Sequence, residues 1–152
     1  VKDHNAAVIG LTMDDDGIPH DAETRLAIAG KILERAAQVG IPIEDVVIDP
    51  LVMAVGADSN AAVVTLRAIE LIRGEFGVNI NLGASNVSFG LPERHTLNQV
   101  FLALAASAGA TCVITDPMRY TLALRAIDLL LGRDEYSARY IRHYRALTKG
   151  SS

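Results

Sequence analysis

The sequence predicts an α/β fold built on a parallel sheet, and three observations predict it. Short apolar runs of strand length alternate with amphipathic helical patterns at roughly 30–40-residue spacing, which calls for crossover connections between parallel strands. Half of the 152 residues are hydrophobic, yet only 5% are aromatic and tryptophan is absent, an aliphatic interior suited to helices packed on a sheet. Four of the helical patterns are closed by a glycine, at Gly40, Gly77, Gly109 and Gly132. By length the chain is expected to be a single domain, residues 1–152, with a substantial core.

The elements follow in order. Ala6-Ala7-Val8-Ile9-Gly10-Leu11-Thr12-Met13 is a continuous apolar run, the expected first strand. Asp14-Asp15-Asp16-Gly17-Ile18-Pro19 reads as a turn, after which Asp21 caps a helix carrying Glu23 in its first turn. Ala22, Leu26, Ala29, Leu33 and Ala36 make its apolar face, and Arg25, Lys31, Glu34 and Arg35 lie largely elsewhere. Val46-Val47-Ile48 enters the second strand, with Asp49 and Pro50 at its end. A loop through Gly56 and Asp58 leads to Ser59, the expected cap of a helix striped by Val63, Leu66, Ile69, Ile72 and Phe76. The third unit is Asn81-Leu82-Gly83-Ala84-Ser85-Asn86-Val87-Ser88-Phe89-Gly90-Leu91-Pro92 followed by a small-residue helix over about 97–108. The fourth has Thr111-Cys112-Val113-Ile114-Thr115 as strand and about 120–131 as helix. A last amphipathic helix, about 135–147, sets Tyr136, Tyr140, Ile141 and Tyr144 on one side. Periodicity allows either an open four-stranded sheet or half of an eightfold barrel, which typically needs about 250 residues.

Composition narrows the function classes. A net charge of −4 argues against nucleic acid or anionic membrane as a partner. Cys112 is the single cysteine, so no intramolecular disulfide exists and a reducing, cytoplasmic setting is expected. No apolar run approaches the roughly 18 residues of a membrane span. The first residue is not methionine and a strand opens abruptly, so the sequence is expected to be a piece of something longer; Gly150-Ser151-Ser152 reads as a natural tail or a cloning remnant. His4, His20, His95 and His143 lack ligand spacing, and Asp14, Asp15 and Asp16 read as a solvated turn, so no metal is expected in this chain. Phosphate-binding and nucleophile-elbow glycine motifs are absent.

The polar residues at strand ends are the candidates for chemistry, because that is where ligands sit on parallel sheets. Asp49, at a buried strand end, must find donors or shift its pKa; its simplest role is to cap loop amides. Asn86 on its own suggests an Asx-turn. Gly83 permits close backbone approach or marks a bulge. Ser85 serves a ligand or a loop amide, Arg94 reads as a surface arginine at a helix start, and Asp116-Pro117 leads a helix or edges a pocket.

Gly83-Ala84-Ser85-Asn86-Val87-Ser88-Phe89-Gly90-Leu91-Pro92, with Arg94 two residues on, Ile48-Asp49-Pro50-Leu51-Val52 upstream and Ile114-Thr115-Asp116-Pro117 downstream, resembles the pterin-binding signature of the methyltetrahydrofolate–corrinoid methyltransferases, whose barrel is shared with dihydropteroate synthase. The resemblance covers nearly the whole chain but only the second half of that barrel. It implies the C-terminal half of a (β/α)8 TIM barrel, with four parallel strand–helix units plus a C-terminal helix. It implies that Asp49 accepts hydrogen bonds from the N–H edge of the pterin and that Asn86 bonds N5, stabilising the charge that develops there as a methyl group leaves. Gly83 and Ser85 would flank the ring, and Arg94 would face the folate's glutamate tail or the corrinoid partner. The implied methyl donor is a tetrahydrofolate derivative, and the acceptor is a corrinoid (cobalamin) carried by a separate protein, which brings the cobalt. Dihydropteroate synthase is disfavoured, because its strand resembles Gly-x-Ser-Arg-Lys-x-Phe and this chain has Asn86-Val87 where a pyrophosphate needs cations. The alternative implied by a half-barrel is a non-catalytic module that binds pterin weakly. Unprotected edges at about 6–13 and 111–115, uncovered inner faces and the leucine-rich 120–131 helix lead us to expect a homodimer or pairing with the other half-barrel.

Overall fold

Val8–Leu11 (β1), Val46–Asp49 (β2) and Asn79–Ile80 (β3) form a parallel sheet in the order β1-β2-β3. The coordinates are those of a computed structural model, which describes residues 1–149; Gly150, Ser151 and Ser152, read above as a natural tail or a cloning remnant, lie outside the described residues. Leu11 is paired with Asp49, and Ile48 with Ile80. One face of the sheet is covered by helices. Gly10 lies so close under the first helix that a Cβ there would come within 2.7 Å of Ile32 Cγ2, and Val46, Ile48 and Ile80 are buried on the same side. On the other face Ile9 and Leu11 are 49% and 44% exposed. That one-sidedness leaves the face that carries Ile9 and Leu11 open.

The covering helices are α1 (Ala22–Gln38), α2 (Ala61–Phe76) and α3 (Arg94–Ala108), with α1 packed on α2 and α2 on α3. Asp21 caps α1 as expected, accepting from Thr24 N at 2.7 Å and Thr24 Oγ1 at 2.9 Å. Arg25 departs from expectation: it is 2% exposed, on the inward side of α1 beside Ile28 and Ala29. For α2 the N-cap is Asn60, not Ser59, and Asp58 Oδ1 accepts from Asn60 N at 2.8 Å. The buried face of α2 is Ala61, Thr65, Ala68, Ile69 and Ile72, while Val63 is 64% exposed. Small side chains let the helices approach closely, so the true face is rotated from the one that bulky residues mark. Gly77 ends α2 in the left-handed conformation, φ 66°.

The expected fourth strand is not one. Among the described residues, 111–115 contributes a single bridge, Ile114 to Gly83. Its backbone does follow β3, with Thr111 N and Cys112 N bonded to Ile80 O at 3.1 and 2.9 Å and Ile114 N to Leu82 O at 2.8 Å. The reciprocal ladder is broken because Ile80 N donates to the Thr111 side chain, at 3.0 Å, in place of a backbone carbonyl. The four strand–helix units of the sequence reading therefore reduce to three named strands and an irregular neighbour.

Two compact units emerge, residues 1–114 and 115–152. In the second, α4 (Pro117–Leu130) packs with α5 (Ala138–Lys149). Asp116 caps α4 through Met118 N at 2.9 Å, with Pro117 in the first turn. Asp134 accepts from Arg139 N and Tyr140 N at 3.0 and 2.9 Å and so fixes the start of α5. The architecture is α/β, with a small parallel sheet and five α-helices among the described residues.

Candidate functional site

The carboxyl ends of β2 and β3 carry a buried polar row. Asn81 continues β3, its N–H bonded to Ile48 O at 2.9 Å, and its side chain reaches across to Asp49, Nδ2 to Oδ2 at 3.0 Å. The other carboxylate oxygen, Oδ1, accepts from Leu51 N at 2.9 Å. Thr12, at the end of β1, donates its N–H and hydroxyl to the Asp49 carbonyl at 3.0 and 3.3 Å. Thr12, Asn81 and Asp49 are 0%, 4% and 8% exposed. An ionised carboxylate offers about four lone-pair sites, so Asp49, with one donor on each oxygen, retains capacity for further donors. Burial raises its pKa above the ordinary 3.8, while the bonds from Leu51 and Asn81 pull it the other way.

After Gly83 the chain turns into a 3-10 helix, Ala84–Ser88. Asn86 sits in it, exposed, with its amide folded back so that Nδ2 would lie 3.3 Å from a Cβ on Gly83. That side chain makes no hydrogen bond to any described residue, so it forms no Asx-turn. The loop around it is firmly held all the same. Ser88 Oγ donates to Asn98 Oδ1 at 2.7 Å, Arg94 Nε donates to Ser88 Oγ at 3.1 Å, and Arg94 Nη2 donates to Ser85 O at 2.9 Å. Arg94 also covers the Phe89 ring at 5.8 Å. Val55 N donates to Val87 O at 3.0 Å, which ties the loop after β2 to the Asn86 turn.

Asp49, Gly83, Ser85 and Asn86 thus belong to two adjoining strand ends linked by Asn81. Arg94, exposed at the first residue of α3, bends onto the loop that holds Asn86. Sequence reasoning assigned no role to Asn81, Thr12 or Arg25. For Asn81 a signal existed, a polar residue between the buried Ile80 and Leu82. A cavity of about 200 Å3 lined by residues including Pro19, His20, Met53 and Asp58 includes neither Asp49 nor Asn86. Asp14 to Asp16 form a tight turn, with Asp14 Oδ1 accepting from Asp16 N at 3.1 Å. Among the described residues no group of three or more His, Cys, Asp or Glu is placed to hold a metal, and no helix is long and apolar enough to cross a membrane.

The pterin binding enzyme family matches residues 1–116, a stretch that contains the Asp49–Asn81 pair and the Asn86 turn. The chain is 31% identical over 141 residues to a methylcorrinoid:tetrahydrofolate methyltransferase of Eubacterium limosum, covering 91% of this chain and 52% of that protein. It is 32% identical over 122 residues to the methionine synthase of Mycobacterium tuberculosis, covering 75% of this chain and 10% of that protein. The chain therefore spans about half the length of the first relative and a small part of the second. With the family match running through three-strand sheet, polar row and turn alike, the chain belongs to the pterin binding enzyme family.

Proposed function

We propose that this chain serves the transfer of a methyl group from N5-methyltetrahydrofolate to the cobalt of a corrinoid on a separate protein, with Asp49 holding the pterin and Asn86 acting at N5. One observation carries the reading: a buried carboxylate with spare acceptor capacity ends β2, and the neighbouring β3 runs into the turn that carries an exposed amide no described residue engages. The N–H edge of a pterin supplies donors to the first. The second donates to N5. A proton from solvent reaches N5 as the methyl–N5 bond breaks, the electron pair of that bond stays on nitrogen, and a donor aimed there lowers the barrier. The reduced cobalt contributes the pair that forms the new bond to carbon. Because the Asn86 amide is neutral throughout, it needs no tuned pKa. Gly83 and Ser85 flank the ring in this reading, and Arg94 stays exposed enough to meet a folate tail or the corrinoid protein.

The name of the Eubacterium relative puts the methyl group on the corrinoid and makes tetrahydrofolate the acceptor. The same two residues serve that direction, since both directions share one transition state. The architecture is read with it: the C-terminal half of a barrel, a single domain of three strand–helix units and an irregular fourth, whose open face at Ile9, Leu11 and Met13 is covered by a second copy or another half-barrel. Coverage of 52% of the relative supports that part.

The deciding experiment is methyl transfer with methyltetrahydrofolate and a reduced corrinoid protein, beside calorimetry with the folate alone. Turnover supports the enzyme reading. Folate binding without turnover favours a non-catalytic pterin-binding module, and neither result overturns both. Light scattering tests the pairing, and a persistent monomer with no dye-binding apolar surface would rule it out.

A further inference from the structure

Arg25 is the only lysine or arginine among the buried residues described, and no carboxylate lies within salt-bridge reach of it. A buried guanidinium is tolerated only when its donors are met. Here carbonyls and one hydroxyl meet those of Nε and Nη1. Nε donates to Pro19 O at 3.0 Å, while Nη1 lies 2.9 Å from Pro50 O, 2.8 Å from Leu51 O and 3.4 Å from Thr65 Oγ1. Thr65 Oγ1 is itself 3.2 Å from Leu51 O. The carbonyls come from the loop after β1 and the loop after β2, and the hydroxyl from α2, so one side chain pins both loops.

Leu51 is the unusual member. Its φ is 64°, in the left-handed region that a branched side chain seldom adopts without support. In that conformation the peptide N–H of Leu51 faces Asp49 Oδ1, while the Pro50 and Leu51 carbonyls face Arg25 and Thr65. Both sides of the turn are therefore fixed at once.

We propose that Arg25 is a positioning residue for the pterin carboxylate: by clamping the Pro50 and Leu51 carbonyls it holds Leu51 left-handed and keeps the Leu51 N–H on Asp49. The inference rests on the reading of Asp49 as the pterin acceptor. An arginine that merely glued α1 to α2 would affect stability and leave Asp49 alone. Lysine is a poor replacement, because its chain ends one atom short of Nη1, and a single ammonium cannot meet Pro19 O, held by Nε, together with the Pro50 and Leu51 carbonyls held by Nη1. Asp49 is a sensitive reporter, since burial pushes its pKa up and the Leu51 bond is the first force holding it down, with no charged group contributing.

The test follows the Asp49 side-chain carbon by NMR through a pH titration of the whole chain, in wild type, Arg25→Lys, Arg25→Met and the double variant Arg25→Met/Leu51→Gly. In both single variants the Asp49 midpoint should rise by about half a unit or more, because a donor to the carboxylate is lost. Glycine adopts the left-handed conformation without a clamp, so the double variant should return the midpoint most of the way although the cation is still missing. That return separates loss of the turn from loss of charge. A folded Arg25→Met whose Asp49 titrates as in wild type, or a double variant that does not return, overturns the proposal. If Arg25→Met fails to fold, Thr65→Val, which removes one donor to the Leu51 carbonyl, must move the midpoint up by a smaller amount, and no movement overturns the proposal equally. In parallel, calorimetry with methyltetrahydrofolate should show Arg25→Lys binding about tenfold more weakly. Unchanged affinity in Asp49→Asn sinks the pterin reading itself, and the titration still decides the clamp. Weakened Asp49→Asn beside unchanged Arg25→Lys sinks the positioning role alone.

Discussion

Asp49 lies on a regular strand, buried, with a donor on each carboxylate oxygen, whereas Asn86 lies in a 3-10 turn, exposed, with its amide bonded to no described residue. Their neighbours reverse the contrast in part. The Asn86 backbone is braced by Arg94, Ser88 and Asn98, so only the side-chain torsions remain to be fixed by a ligand. In the proposed function an acceptor built into the fold serves binding and a donor left loose on a rigid mount serves rate. Substitutions should separate accordingly, with Asn86 changes reaching only the ligand and Asp49 changes reaching ligand and fold together.

The largest effect is expected at Asn86→Ala. Methyl transfer should slow by about 100- to 1000-fold, or about 3–4 kcal/mol, the usual loss for one transition-state donor. Thermal melting should be unchanged, because the amide supports nothing in the free protein. A rate within threefold of wild type, or a clear drop in melting temperature, would break the contrast.

Asp49→Asn comes next. A donor would then face the donors of the pterin, weakening binding by about 2–4 kcal/mol in calorimetry. The pH dependence carries two opposite signs. The folded carboxyl keeps its proton to higher pH than the unfolded one, so its contribution to stability is fully present below the unfolded value near 3.8 and is lost as pH rises through the raised folded value. Relative to Asp49→Asn, the wild type should therefore gain stability as pH falls through that window. Pterin binding needs the ionised form and should weaken over the same window. Parallel trends in melting and binding would contradict the assignment.

Asn81→Leu sharpens the comparison from the buried side. It strips one donor from Asp49 Oδ2 and should cost about 1–3 kcal/mol of stability. The acid limb of pterin binding should move to higher pH, which binding measured across a pH series would show. Smallest is Gly83→Ala. Its φ of −80° strains no side chain, and the added methyl would meet Asn86 Nδ2 at 3.3 Å. The amide must yield by a few tenths of an ångström, so transfer should slow about threefold, under about 1 kcal/mol, with melting unchanged.

Much of the first unit and of β2 was legible in the sequence, because apolar runs, Asp21 as a cap and glycine stops act locally. Legibility failed where a distant partner decides. Thr111 breaks the ladder with a hydroxyl supplied from 31 residues beyond Ile80. Arg25 is buried because carbonyls 25 and 26 positions away receive it, which no helical period encodes. The face of α2 was misjudged because Ala61 and Ala68 pack closely without being bulky. Of the site, Asp49 was visible as a carboxylate at a strand end, whereas Asn81 was passed over although it stands as a polar residue inside an apolar strand. The roles given to Asn86 and Arg94 came from the resemblance, since a free amide and a surface arginine leave no trace in periodicity.

The partners of Arg25 set how its clamp responds to solution conditions. An exposed pair such as Arg67–Glu70, with side chains 54% and 53% exposed, weakens in salt and dissolves when the glutamate takes a proton. Carbonyl oxygens do neither. Burial lowers the Arg25 pKa, yet an arginine remains cationic through any working range, and its acceptors cannot titrate. The Leu51 turn should then keep its shape at high ionic strength and at a pH where Asp49 is protonated. Acid would silence the carboxylate without dismantling its seat, so that affinity lost at low pH should return at once on neutralisation, with no refolding step.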